Sequence, residues 1–148
     1  MTSLPWVYDD GGRKAAGRKG TAPGDCVCRA IAIATGQDYN LVYADLNGAA
    51  LRERPRAGRR RSSARKGVAK PTIRRHLTDL GWQWHPTMAI GTGCTVHLAE
   101  GELPPGRLIV SLSRHLVAVI DGVTHDLADP SRDGTRCVYG YWTLEGTP

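Results

Sequence analysis

The chain has 148 residues, 41% of them apolar, which is enough for one domain with a real core. No apolar run is long enough to span a bilayer, and Met1 to Asp10 is too polar to be the apolar core of a secretion signal, so a cytoplasmic protein without membrane contact is expected, its four cysteines read as free thiols. The net charge of +6 is uneven: residues 52–75 carry eleven of the twenty Lys and Arg and a single acid, leaving nine bases against thirteen acids elsewhere, so only this insert has an electrostatic reason to meet nucleic acid.

Residues 1–24 read as a loose segment in which Val7 and Tyr8 anchor a short strand. A helix is predicted over 25–35, with Val27, Ala30, Ile31 and Ala34 on one stripe, Asp25 as N-cap and Gly36 just past the C-terminus. A second helix over 38–51 is capped by Asp38 and places Tyr39, Val42, Tyr43, Leu46 and Ala50 on a shared face. Residues 52–70 form a basic loop, mobile by composition. A third helix, 71–80, opens at Pro71 and stops at Gly81.

From Trp82 the pattern turns to strands: Trp82-Gln83-Trp84, Leu108 to Leu112, Leu116 to Ile120, Val123 to Leu127 and Cys137 to Thr143. Asp121-Gly122 signals a hairpin. Helices first and an antiparallel sheet second give an α+β fold. With no phenylalanine in the chain, Trp82, Trp84 and Trp142 are assigned to packing.

Chemistry is suggested by three side chains. Cys26 stands at a helix N-terminus, where unpaired N–H groups and about half a positive charge favour a thiolate. His115 begins a strand and would serve as base, and a carboxylate on the next strand would hold its tautomer. Which carboxylate depends on the turn. A two-residue turn at Asp121-Gly122 puts Asp126 on the histidine's face; a three-residue loop with Gly122 left-handed shifts the register and puts Asp129 there. Asp129 is the first choice and Asp126 the alternative. Cys28 reads as a small buried hydrophobe.

The Asp25-Cys26 helix start and the His115…Asp129-Pro130 ending resemble the papain-like superfamily of cysteine hydrolases. They are similar to the leader-cleaving peptidases of bacteriocin exporters, and the Asp-Pro close resembles the transglutaminase-like core. The chain as a whole resembles small prophage-encoded proteins. The resemblance covers roughly residues 20–36 and 107–130. It implies a helical lobe and a strand lobe with a cleft between them, Cys26 as nucleophile, His115 as base, Asp129 as orienter, and cleavage of a peptide, isopeptide or amide bond in a peptide or protein substrate. No metal or organic cofactor is required. One departure stands out: those peptidases place a glutamine a few residues before the cysteine, and here Arg18-Lys19-Gly20-Thr21-Ala22-Pro23 has none.

Of the competing readings, zinc and phosphate loops are weak and the basic stretch is the serious rival. A zinc site of Cys26, Cys28, Cys94 and His97 would need a Cys-x-Cys pair tighter than structural zinc usually takes. Gly91-Thr92-Gly93 and Gly17-Arg18-Lys19-Gly20-Thr21 lack the full phosphate-loop spacing. The basic stretch, with Arg59, Arg60, Arg61, Arg65 and Lys66 at its centre and Arg56 among its phosphate-facing residues, is read as a solvated loop, as a contact for nucleic acid or an acidic partner, or as a flap over the cleft. A non-catalytic papain-like binder using that loop is the alternative to a hydrolase. Ser62 and Ser63 would be contact or phosphorylation sites in it.

Overall fold

A computed structural model describes residues 2–20, 24–55 and 57–144; Arg56 and the tripeptide 21–23 lie outside them. The fold is α+β, with three helices in the first half and a six-stranded mixed sheet drawn mostly from the second. The helices are α1 (Cys26–Thr35), α2 (Tyr39–Ala50) and α3 (Lys70–Asp79). The strands are β1 (Trp6–Tyr8), β2 (Trp82–Pro86), β3 (Arg107–Leu112), β4 (His115–Ile120), β5 (Val123–Asp126) and β6 (Gly140–Leu144), in the order β1-β5-β4-β3-β6-β2. Among the described residues, no helix is long and apolar enough to cross a membrane.

The alternation of β3 and β4 explains the layering. Ile109 pairs with Ala118, and both join the core under the helices with Leu116, Trp142, Ile31 and Leu46. Leu108, Val110, Val117 and Val119 face the other way, against Leu4, Leu98 and Val138. The sheet is therefore buried on both faces, by helices on one and by connecting segments on the other. Ile31, Val42, Leu46 and Leu77 are fully buried, each stabilising by about 1.5–3 kcal/mol.

α1 is more enclosed than its single stripe predicts: Cys28, Arg29 and Ala32 are buried as well. The reason lies in residues 2–20, which are tied down rather than loose. β1 pairs in parallel with β5, so the sheet is not wholly antiparallel. Asp9 and Asp10 accept the backbone N–H groups of Gly11, Gly12 and Lys14, and Gly11, at φ +67°, lies against the Arg29 backbone. Gly36 ends α1 in the left-handed conformation, its N–H donating to Ala32. The Asp38 carboxylate caps α2 at Leu41.

The basic stretch is pinned, which corrects its reading as mobile. Its only acid, Glu53, accepts the Ser62 N–H and the Thr72 hydroxyl; Ser62 Oγ accepts the Ala69 N–H; Asn47 accepts the Ala64 N–H. Ser62 and Ala64 are buried, so Ser62 is a structural anchor rather than a modification site. Cys94 and Cys137, expected as thiols, form a disulfide with Cα atoms 5.8 Å apart. A short antiparallel contact brings them together: His97 pairs with Cys137, and the Val138 N–H donates to Val96.

Candidate active site

Cys26 is the first residue of α1 and is partly exposed. Asp25, predicted as its N-cap, does not cap. Its buried carboxylate turns to Arg29 Nε at 2.9 Å, Arg13 Nε at 3.2 Å and the Tyr39 hydroxyl at 2.6 Å. No side chain among the described residues therefore caps the first turn of α1, whose N–H groups stay available to an incoming oxygen.

His115 opens β4 directly after Arg114, a residue at φ +55° that turns the chain out of β3. Its Nε2 lies 2.7 Å from Asp126 Oδ2. That leaves Nδ1 for the Cys26 sulfur, whose pKa the His115 ring and the Leu116 backbone N–H both lower. Asp126, the last residue of β5, uses Oδ1 to accept from Arg29 Nη1 at 2.9 Å and from the Leu127 N–H at 2.7 Å. β1 fixes the same residue from the other side, since the Asp9 N–H donates to its carbonyl.

The acid on His115 is Asp126, the alternative, and not Asp129, the first choice. The Asp121-Gly122 turn is a two-residue turn with both residues left-handed, at φ +48° and +77°, and it pairs Ile120 with Val123. That register carries Asp126 to the histidine. Asp129 lies beyond the strand, exposed, with its carboxylate accepting the Ser131 N–H at 2.9 Å. The bulged turn that would have brought it to His115 does not form, because Asp121 itself takes the left-handed conformation. Its carboxylate is engaged by the Gly106 N–H.

The electrostatics follow from this chain of contacts. Burial pushes the Cys26 thiol up, but the hydrogen bond and charge of His115, the Leu116 N–H and the Arg29 charge outweigh it, and the thiol ends below its ordinary value. Burial pushes His115 down, but Asp126 and the Cys26 sulfur raise it to about 9. Burial pushes Asp126 up, yet His115, the Leu127 N–H and Arg29 hold it below the usual carboxylate range. All three shifts favour a thiolate–imidazolium pair backed by a carboxylate. Cys28 behaves oppositely: burial and the charge of Asp25 push it up to about 12, so it stays a thiol.

Arg29 is the residue that the sequence reading passed over. It is 5% exposed and bridges Asp25 and Asp126. Its signal was an arginine inside the run Cys-Val-Cys-Arg-Ala-Ile-Ala-Ile, where a buried helix tolerates a charge only if partners await it. Arg13, Asp25, Arg29, Asp126, His115 and Cys26 thus alternate in sign along one connected path, and the ion-paired site is neutral as a whole.

Of the basic residues singled out, Arg60, Arg65 and Lys66 line a cavity of about 620 Å³ at the N-terminus of α1, which also reaches Gly24 and Asp25. Arg59 faces the neighbouring hollow beside Pro71, and Arg61 donates to the Ala50 carbonyl at the end of α2. No group of three or more potential metal ligands is assembled among the described residues, and Cys94 of the alternative zinc set is bonded to Cys137. The glutamine-free stretch ends in the tripeptide outside the described residues. Scans against protein-family models, curated proteins and solved structures return no significant match to this chain.

Proposed function

We propose that this protein is a papain-like cysteine hydrolase that cleaves a peptide, isopeptide or amide bond with Cys26, His115 and Asp126. The observation that carries this reading is His115 at the start of β4, held by Asp126 at 2.7 Å and lowering the pKa of the partly exposed Cys26 thiol.

In this scheme the Cys26 thiolate attacks the carbonyl carbon, and the oxyanion is received by N–H groups in the uncapped first turn of α1. As the intermediate collapses, the C–N bond breaks and the His115 imidazolium gives its proton to the leaving nitrogen. The acyl group is left on sulfur as a thioester. Neutral His115 then takes a proton from water, which attacks the thioester, and release of the acid restores the ion pair. Asp126 keeps the ring's Nε2–H pointed away from the sulfur and stabilises its charge. The chemistry calls on no cofactor.

A short-peptide library ending in a fluorogenic amide tests it. Wild-type protein should release the fluorophore, and Cys26→Ser and His115→Ala should not; equal, background release by all three would refute the proposal. The cation-lined cavity favours a second reading, a non-catalytic binder. Cys26 alkylation at pH 6 no faster than that of an ordinary thiol would decide for it.

A further inference from the structure

The cavity at the N-terminus of α1 is lined by Arg13, Arg18, Lys19, Arg60, Arg65 and Lys66, with Asp25 the only acid on its wall among the described residues. Asp25 is already engaged by Arg13, Arg29 and Tyr39. Arg18, Lys19, Arg60, Arg65 and Lys66 have no carboxylate partner among the described residues. Five cations therefore stand around one concavity whose only acid is used up by others, an arrangement that concentrates positive potential and attracts anions.

The cavity ends one residue before the nucleophile in the chain: Gly24 and Asp25 form part of its wall and Cys26 follows them as the first residue of α1, while His115 and Asp126 line a separate hollow. The basic loop lies close against this wall: a Cβ on Gly24 would sit 3.0 Å from the carbonyl oxygens of both Arg65 and Lys66. A polypeptide that extends from this wall to the Cys26 sulfur would run beside these charges.

We infer that this cavity is the substrate-recognition site for an acidic segment of the polypeptide, carboxylates of the substrate pairing with Arg18, Lys19, Arg60, Arg65 and Lys66 while the bond to be cut lies over Cys26. Naming the ligand a substrate rests on the hydrolase reading; the preference for a glutamate- or aspartate-rich chain rests on the cavity itself. The walls argue against nucleic acid. The two rings present are Tyr39, which is buried with its hydroxyl on Asp25, and Tyr43, whose face is covered by the Arg18 guanidinium at 3.7 Å. Neither offers an open face for base stacking.

The test uses the full chain as Cys26→Ala, which binds without turnover, and fluorescence anisotropy. The probes are a short fluorescein-labelled peptide with a run of glutamates, the same peptide with glutamines, and a single-stranded oligothymidylate of matched charge. The glutamate peptide should bind about tenfold or more tighter than the glutamine peptide at low salt, and the gap should close as salt rises. Combining Arg60→Glu, Arg65→Glu and Lys66→Glu should abolish the gap. Lys19→Glu, an exposed single change, should reduce it if the triple variant does not fold. Equal affinity for the two peptides, or tighter binding of the oligothymidylate, would overturn the inference. Glutamate-peptide binding that the variants remove, without cleavage by wild-type protein, keeps the cavity and removes the hydrolase reading. Cleavage of neutral peptides without a glutamate preference does the reverse.

Discussion

Replacing Asp126 with asparagine isolates the part of the site that sequence alone left between two residues. The carboxylate accepts from His115 at 2.7 Å and is almost wholly buried. A hydrogen bond between charged groups in such a place contributes about 1.5–3 kcal/mol, and at about 1.4 kcal/mol per pH unit its loss should lower the His115 pKa, raised to about 9 in the intact site, by about 1–2. A weaker imidazolium holds the thiolate less well, so the Cys26 pKa rises. The assay is the rate of iodoacetamide alkylation from about pH 5 to about pH 9, with peptide mapping of the label. Cys28, pushed up to about 12, and the bonded pair Cys94 and Cys137 stay silent, so the profile reads Cys26 alone. Asp126→Asn should move the rising limb to higher pH and slow alkylation at pH 6 by about tenfold or more, since on that limb the thiolate fraction falls about tenfold each time the thiol pKa rises by one. Asp129→Asn should leave the profile unchanged. The shape of asparagine preserves an acceptor for the Leu127 N–H. Stability gives a second readout: the part contributed by His115 is full below its unfolded value of 6.5 and fades as pH rises through about 9, so the gap between wild type and Asp126→Asn should narrow above that point. Superimposable profiles for wild type and Asp126→Asn, or a change in Asp129→Asn instead, would refute the reasoning.

Arg29→Met removes the cation between Asp25 and Asp126 and should destabilise by about 3–5 kcal/mol, read as a lower urea midpoint; a change under about 1 kcal/mol would mean that the buried carboxylates find other partners. Gly140→Ala should destabilise by about 1–3 kcal/mol or more, because the new Cβ would collide with the Trp84 ring, itself packed on Trp142; thermal melting checks this, and an unchanged melting temperature would refute it. Reducing the Cys94–Cys137 disulfide opens a loop of 43 residues and should cost up to about 4 kcal/mol by chain entropy, measured by denaturation with and without reductant while alkylation of Cys26 keeps its rate.

Helices α1, α2 and α3 were legible because each carries an apolar stripe with its own start or stop signal, such as Pro71 at the start of α3 or Gly36 at the end of α1. The thiol and the histidine were legible as residue types at element boundaries. The acid was not, because one residue of turn geometry at Asp121 decides between Asp126 and Asp129, and asparagine or aspartate in the left-handed region is a choice that local sequence leaves open. The parallel pairing of β1 was invisible for another reason: three residues, Trp6 to Tyr8, hold no periodicity, and their partner lies more than a hundred positions away. The role of Asp25 was misread because capping is the common use of an aspartate there, and only the arrival of Arg13, Arg29 and Tyr39 turns its carboxylate inward. The basic stretch was read by composition, which does not register that Glu53, Ser62 and Asn47 supply it with backbone partners.

The link from Arg29 to Asp126 joins residues 97 positions apart, and β1 cannot pair until β5 exists. During synthesis, a ribosome that has released about the first hundred residues therefore presents Cys26 without its imidazole, its carboxylate or its neighbouring strands. The nascent thiol is then an ordinary one, and its pKa falls only when β4 has emerged and brought His115 and Leu116 to it. The topology itself postpones the meeting of Cys26, His115 and Asp126 until β4 and β5 have emerged.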